Sequence, residues 1–217
     1  IGAEARVVAT PGPAMAASDR FEIRVKVVQT HGAMPWNGVD PIVTAAQIII
    51  GLQTIASRQV DVTKAPSIIS IGRIEGGVRN NVIPDQVEFE GTIRTFDPGE
   101  RELLLAKLRS TVNGIADAAG ATATIELGLS VPVTGNDPEL LQRMMPTLKR
   151  AAGDDKVLEH SLITGAEDYS FYQERIPGLL LMLGVNDTGV AAGQSPSNHS
   201  PFFSPNEDAL IVGLRAL

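Results

Sequence analysis

Cysteine is absent from this chain of 217 residues, aromatic residues make up only 4%, and no long apolar run occurs. Without cysteine the chain cannot form disulfides, thiolate metal sites or a thiol nucleophile. A membrane-spanning helix needs roughly 18 or more apolar residues in succession, and no segment approaches that length. We therefore expect a soluble, cytoplasmic protein that does not associate with membranes.

Positive charge is also scarce, because 18 lysine and arginine residues stand against 25 acidic residues. The resulting net charge of −7 gives no electrostatic attraction for a phosphate backbone. Nucleic acid is therefore not expected as a partner.

The two ends of the chain do not resemble natural termini. The first residue is Ile1 rather than methionine, and Leu217 lies within a predicted helix that begins at Pro205. We expect the chain to be a piece of a longer protein.

Residues 21–133 show the hydrophobic patterns of a compact α+β domain. The first helix is predicted from Asp40 to Arg58, because apolar residues recur every three or four positions after an Asp-Pro start. The second helix follows a capping box at Asp97–Glu100 and ends before Gly120. Strands are predicted at residues 21–27, 67–74, 87–94 and 121–131. The order βαββαβ predicts a ferredoxin-like domain with two helices on one face of the sheet.

The pattern changes after turn-forming residues at 134–138. The predicted order becomes helix, strand, helix, strand, helix, which is typical of an α/β layer. Two strands are too few for an independent sheet, so we expect them to join a sheet whose other strands are missing from this chain. A domain boundary near residue 134 follows.

The chain contains three histidines. His31 lies in a loop after a predicted strand, and His199 lies between a polar loop and an apolar pair. Taken singly, each has an ordinary loop role, His31 as a cap of a backbone carbonyl, because a zinc site needs three or four ligands. His160 closes a short predicted strand, and we assign it no role.

Other polar positions also admit a structural explanation. Asn81 follows a double glycine, where a turn or a left-handed backbone is expected, and Arg94 lies beside two glutamates of its own strand that could form cross-strand ion pairs. Glu167 follows Gly165 at a predicted helix start, where a carboxylate can act as a cap. No single residue among these identifies an enzyme.

Taken together and in order, six short motifs resemble those of a family of metal-dependent amidohydrolases. This family includes hippurate hydrolase, the aminoacylase-like N-acyl-amino-acid deacylases and the auxin-conjugate hydrolases. The motifs cover nearly the whole chain and are PGPAMAASDRF from Pro11, THGAMPWNGVDP from Thr30, NVIPD from Asn81, GTIRT from Gly91, GAED from Gly165 and HSPFF from His199.

The resemblance implies hydrolysis of the amide bond of an N-acyl amino acid or peptide at a site with two divalent metal ions. The metals would be zinc, manganese, cobalt or nickel, and a glutamate would deprotonate the attacking water. Residues 21–133 would form a lid through which the protein homodimerises. Residues 1–20 would end a preceding catalytic segment with its linker, and residues 134–217 would form the C-terminal part of a zinc-peptidase-like catalytic domain.

The same resemblance implies roles for the polar residues of the lid. His31 resembles the lid histidine that reaches the neighbouring subunit's active site and stabilises the oxyanion. Asn81 and Arg94 resemble lid residues that hold the substrate's carbonyl or carboxylate. Gly165 and Glu167 resemble the loop that lines the acyl or carboxylate pocket.

His199 resembles the last metal ligand of such a site. The family's Cys-Gly-His-Asp-type motif, its paired glutamates and a further histidine ligand do not occur in this sequence. One imidazole cannot hold two metal ions, so we expect the chain by itself to be inactive.

Two other functions are compatible with a ferredoxin-like domain. A non-catalytic dimerisation or small-molecule-sensing module would have no need of the motifs between Gly165 and Phe203. An RNA-binding domain would need aromatic residues on the open face of the sheet, whereas Phe21 and Phe89 fall on the predicted helix-facing side.

Overall fold

The computed structural model describes residues 5–190 and 194–217, so the first four residues of the predicted segment 1–20 lie outside it. The strands are β1 (Val7–Val8), β2 (Gly12–Met15), β3 (Ala17–Lys26), β4 (Thr30–His31), β5 (Ile68–Gly76), β6 (Val82–Ile83), β7 (Gln86–Thr95), β8 (Thr122–Val131), β9 (Thr134–Asn136), β10 (Val157–Leu158) and β11 (Met182–Leu183). The helices are α1 (Pro41–Thr54), α2 (Pro98–Ala119), α3 (Pro138–Ala152), α4 (Ser170–Gln173) and α5 (Leu210–Ala216). In the part of the chain that is described, no helix is long and apolar enough to cross a membrane.

The described residues form two compact units. The central unit comprises Met15–Val133 and Thr164–Asp168. The flanking unit contains the described residues before Met15 together with Thr134–Ile163 and Tyr169–Leu217.

The central unit contains a four-stranded antiparallel sheet in the order β5-β7-β3-β8. With α1 after β3 and α2 after β7, the chain follows the predicted βαββαβ order. Phe21, Ile23 and Val25 are buried on one face of β3 and share a core with α1 and α2, while Glu22 and Arg24 lie on the other face. The period-2 pattern therefore separates a helix-covered face from an open, polar face.

Gly91 permits the tight packing at the centre of this sheet. A Cβ atom at this position would overlap the carbonyl oxygen of Ser70 on β5 and the ring of Phe21 on β3. The bulk of Phe21 therefore fills the space beside Gly91, and no larger residue fits there.

The ends of α1 and α2 follow the sequence signals only in part. Asp97 Oδ1 accepts the Glu100 N–H at 2.8 Å, and Gly120 closes α2 in a left-handed conformation with φ of 74°. The other half of the predicted capping box is absent, because Glu100 is buried and neither of its carboxyl oxygens has a hydrogen-bond partner among the described residues. α1 continues beyond Thr54 as a π-helical turn at Ile55–Gln59, one residue past the predicted end.

The burial of Glu100 affects its ionisation. Loss of hydration, followed by the nearby charge of Asp97, raises the pKa of Glu100 above its ordinary value. Because the pKa is higher in the folded than in the unfolded state, this carboxyl favours folding when protonated and opposes it as the pH rises.

The flanking unit is built around a small sheet in the order β10-β1-β11. β1 pairs parallel with β10 and antiparallel with β11, so the two C-terminal strands have a partner near the N-terminus that the sequence pattern did not indicate. The predicted turn at residues 134–138 is also partly wrong, since Thr134–Asn136 form β9 and pair with β2. The last helix begins as a 3-10 turn at Glu207–Ala209 rather than at Pro205.

Candidate active-site residues

His31 and Asn81 are brought together by a short two-stranded pairing in the central unit. β4 pairs antiparallel with β6, and the Gly32 N–H donates to the Asn81 carbonyl oxygen at 2.8 Å. A Cβ on Gly32 would lie 3.1 Å from two backbone atoms of Asn81, a tight contact that a larger residue could make only if the Asn81 backbone shifted by a few tenths of an ångström. The pairing fixes both candidate residues in one exposed loop cluster.

The ring of His31 has a defined hydrogen-bonding state. The backbone N–H of Ala33 donates to His31 Nδ1 at 3.0 Å, so this nitrogen is an acceptor. In a neutral imidazole the other nitrogen then carries the proton. The Nε2–H of this exposed ring is therefore available as a donor. Nδ1 does not cap a backbone carbonyl as predicted, because it accepts a backbone N–H instead.

Asn81 occupies a turn without a left-handed backbone. Among the described residues other than glycine only Ala5 has a positive φ, and the Val82 N–H closes a turn onto the Arg79 carbonyl at 3.3 Å. The amide side chain of Asn81 is exposed and has no hydrogen bond to any described residue.

Arg94 lies near the opposite end of β7, on the open face of the sheet. Its direct neighbours are Ser18 on β3 and Ile68 on β5. The cross-strand ion pairs that the sequence suggested are not formed by Arg94. Within residues 5–190 and 194–217 its half-buried guanidinium has no carboxylate partner.

The glutamates that could have paired with Arg94 are bound by other arginines. Glu88 accepts from Arg24 at 3.0 Å and Glu90 accepts from Arg73 at 2.7 Å. Glu90 also pairs with Arg20. Hydrogen bonds from Arg73 and then from Arg20 hold the pKa of Glu90 below its usual value, so Glu90 stays a carboxylate. The open face is thus a network of ion pairs next to the Arg94 guanidinium, which has no carboxylate partner in the described part of the chain.

The loop cluster and Arg94 lie at opposite ends of the sheet. Val82, which pairs with His31, lies four residues before Gln86, where β7 begins. Arg94 is eight residues further along β7. At the rise of an extended strand, eight residues span about 27 Å. His31 and Asn81 therefore lie far from Arg94 of the same chain.

Gly165 lies at the Arg94 end of the central unit. The Gly165 carbonyl oxygen accepts the Ala16 N–H at 2.9 Å. Ala17, which follows Ala16, pairs with Thr95, the residue after Arg94. Glu167 is exposed in the same loop. α4 begins three residues later at Ser170, with Tyr169 at its N-cap, and the Tyr169 side chain makes no cap hydrogen bond.

His199 lies in the flanking unit, in an exposed turn closed by a 2.8 Å hydrogen bond from the Ser200 N–H to the Ser197 carbonyl. No group of three or more histidine, aspartate or glutamate side chains within the described residues is placed to hold a metal ion. The residues at hand therefore do not fit a complete dinuclear centre. His160, to which no role was assigned, has its Nδ1 2.6 Å from the Ser161 carbonyl oxygen.

Comparison with known proteins identifies the region that carries this sheet. Residues 17–123 match the family model described as the peptidase dimerisation domain of M20 proteins. This chain contains the dimerisation-domain region of the M20 peptidase and amidohydrolase family. The M20 match includes His31, Asn81 and Arg94, whereas Gly165, Glu167 and His199 lie beyond it.

Relatives of this M20 chain extend the similarity over almost its full length. An N-acetylcysteine deacetylase of Bacillus subtilis is 38% identical over 201 residues, which is 93% of this chain and 50% of that protein. An N-acetyldiaminopimelate deacetylase of Leuconostoc citreum is 39% identical over 200 residues, covering 90% of this chain and 49% of the relative. The YXEP protein of B. subtilis, whose crystal structure is described as that of a dinuclear metal binding peptidase from the M20 family, is 31% identical to this chain. The two structures superpose with a TM-score of 0.74 over 99% of this chain and 51% of the YXEP chain. The M20 chain thus spans about half the length of these relatives.

Proposed function

We propose that the full-length protein containing this chain hydrolyses the amide bond of N-acyl amino acids. The observation that carries the proposal is a pair of donors at opposite ends of one sheet that no described residue uses, the Nε2–H of His31 and the guanidinium of Arg94. Both lie in the segment that matches the M20 dimerisation domain. The named relatives, which act on N-acetylcysteine and N-acetyldiaminopimelate, support the substrate class.

Arg94 is suited to bind the α-carboxylate of the released amino acid. A guanidinium presents a planar fork of donors that matches a carboxylate in a bidentate manner. Since no described carboxylate competes for Arg94, these donors remain for the substrate. Gly165 and Glu167, in the loop at the same end, are proposed to line the adjacent pocket.

His31 is suited to stabilise the carbonyl oxygen of the scissile amide. As negative charge develops on that oxygen, the Nε2–H donates to it, and the exposed amide of Asn81 can support the same group. Because Gln86 and Arg94 are already about 27 Å apart along β7 and His31 lies beyond the Gln86 end, we propose that His31 and Asn81 serve the site of a second subunit. Homodimerisation would then be a requirement for activity.

His199 is proposed to supply one ligand to the metal centre. The B. subtilis YXEP protein is described as dinuclear metal binding, and the chemistry of such a pair is to activate water and polarise the amide. Further ligands and the general base would have to come from outside the described residues.

Removal of Arg94 tests the proposed substrate class. In the full-length protein, Arg94→Ala is expected to raise KM for N-acetyl amino acids about tenfold or more, because a charge-assisted pair to the carboxylate is lost. The matching N-acetyl amino acid amides have no carboxylate, so KM for them should change little. Steady-state kinetics on both substrate series measures the difference. The control is Arg24→Ala, since Arg24 lies on the same face but already pairs with Glu22 and Glu88. Equal effects of Arg94→Ala on both series would rule out the carboxylate role.

The surface of α1 is the best candidate for the dimer interface. α1 contains no charged residue, and its outward side exposes Ile42, Val43 and Ile50, the last at 67%. α2 is different, since its exposed side carries charged residues such as Glu102. An uncharged apolar helix surface next to an edge strand is typical of a surface that a partner covers.

Ile50→Asp is therefore expected to convert the dimer into a monomer, because a charge placed in an apolar interface loses its hydration without gaining a partner. Stability should change little, since Ile50 is mostly exposed in one subunit. Sedimentation equilibrium at micromolar concentration measures the oligomeric state. Leu103→Asp on α2, where the leucine is 41% exposed, is the matched control and should remain dimeric. If Ile50→Asp stays dimeric, the interface lies elsewhere.

A further inference from the structure

The open face of the sheet next to Arg94 contains a second row of donors. Thr92 lies two residues from Arg94 on the same face of β7, directly between Arg20 on β3 and Ser70 on β5. Diagonal neighbours across strands are about 7–8 Å apart, within the reach of long side chains. Arg20, Thr92 and Ser70 therefore border the position at which Arg94 would hold a substrate.

A break in the sheet makes this second row concave. The register of β5 against β7 shifts between Ile71 and Arg73, and a Cβ on the intervening Gly72 would meet nothing within 4 Å. The resulting depression has a volume of about 230 Å³ and is lined by Arg20, Ser70, Gly72, Arg73, Glu90 and Thr92. It is large enough for the side chain of one amino acid, and its apolar floor is bordered by the polar groups of Arg20, Ser70 and Thr92.

The unsatisfied groups in this depression are mainly donors. Arg20 uses a single N–H in its pair with Glu90, although a guanidinium has five. The hydroxyls of Ser70 and Thr92 have no hydrogen bond to a described residue. Glu90 is already occupied by both Arg20 and Arg73. A group that accepts hydrogen bonds, above all a second carboxylate, fits this arrangement.

We infer that Arg20, with the hydroxyls of Ser70 and Thr92, determines specificity by binding the side-chain carboxylate of an acidic N-acyl amino acid. The inference rests on the proposed function, because it is the α-carboxylate on Arg94 that would place the side chain over this depression. In N-acylaspartate and N-acylglutamate, one or two methylene groups separate the side-chain carboxylate from the α-carbon. The two carboxylates of such a substrate can therefore reach Arg94 and Arg20 at the same time. Arg73 has fewer donors left for a ligand than Arg20, since it also pairs with Glu75 and Glu88.

The test compares kcat/KM for N-acetylglutamate and for N-acetylmethionine, which has an apolar side chain of similar length, in the full-length protein. The wild type is expected to prefer N-acetylglutamate by about tenfold or more, the worth of one charge-assisted pair. Arg20→Met should remove the preference by lowering kcat/KM for N-acetylglutamate alone. Arg24→Met is the matched control, because Arg24 lies on the same strand face but outside the depression, and it should keep the preference.

The possible outcomes separate the two proposals. Hydrolysis of both substrates without a preference for the acidic one, or a preference that survives Arg20→Met, overturns the specificity inference and leaves the proposed function standing. No hydrolysis of any N-acyl amino acid overturns both. A circular dichroism spectrum of Arg20→Met should match the wild type, since Arg20 is exposed and Glu90 keeps its pair with Arg73.

Discussion

His31→Ala is expected to lower kcat of the full-length protein about 100- to 1000-fold, as the loss of one oxyanion donor does in other enzymes. KM should change little, because the donor acts on charge that develops after binding. The fold should be retained, since the His31 ring is exposed and makes a single hydrogen bond to Ala33. Steady-state kinetics together with a metal analysis of the variant provides the measurement. An unchanged kcat would return His31 to an ordinary loop role.

Mixed dimers test whether His31 acts across the subunit boundary. When His31→Ala and Arg94→Ala subunits are combined, each mixed dimer has one site with both residues and one site with neither. Measured as kcat/KM on an N-acetyl amino acid, at substrate concentrations well below KM where both single variants are impaired, random mixing should then give about one quarter of the wild-type value, since half of the dimers are mixed and each has one intact site of two. Activity that stays at the level of the two single variants would show that His31 and Arg94 serve the site of one chain.

Gly91→Ala is expected to destabilise the central unit by about 3 kcal/mol, at the upper end of the range for overpacked cores. The added methyl group would overlap the Ser70 carbonyl oxygen and the Phe21 ring, and a backbone atom of a paired strand cannot move away without breaking the ladder. Urea unfolding followed by circular dichroism gives the change in the free energy of unfolding.

Two companion variants make this result specific. Gly72→Ala changes a glycine of the neighbouring strand at which a Cβ would meet open space, so its free energy of unfolding should stay within about 0.5 kcal/mol of the wild type. Phe21→Leu in the Gly91→Ala background should recover part of the loss, because the smaller side chain removes one of the two clashes. A destabilisation of Gly72→Ala as large as that of Gly91→Ala would show that any substitution in this sheet is costly.

The four long strands and the two helices of the central unit could be predicted because each carries its own periodic signal, whereas the two-residue strands β4 and β6 were not predicted. β3 alternates strictly between buried and polar residues, and α2 begins with Asp97-Pro98 and stops at a left-handed Gly120. The short strands of the flanking unit carry no such signal. Val7 and Val8 become a strand only because β10 and β11 lie on either side of them. Two residues are too few for a period, so contacts distant in sequence decide their structure.

The candidate residues could be named from motifs, but their explanations needed the register of the sheet. Asn81 and His31 are 50 positions apart in sequence, and the Gly32 hydrogen bond that joins them is a consequence of the β4 and β6 pairing. The apparent ion pairs of Arg94 were predicted from its own strand. In the structure Arg20, Arg24 and Arg73 from neighbouring strands bind those glutamates instead. Which cation reaches a carboxylate depends on cross-strand neighbours, which a single strand does not specify.

The sequence by itself determined the βαββαβ order, and it predicted a division near residue 134 and a set of polar residues that resemble an amidohydrolase lid. Hydrophobic periodicity and turn-forming residues are local properties, so they can be identified without the fold. Only the tertiary structure decided that Arg94 has no carboxylate partner among the described residues and that the buried carboxyl of Glu100 has no hydrogen-bond partner among them. It also decided that His31 and Arg94 lie at opposite ends of the sheet. Strand register, side-chain burial and distance arise when separate segments pack together, and these long-range contacts are not encoded in any one segment.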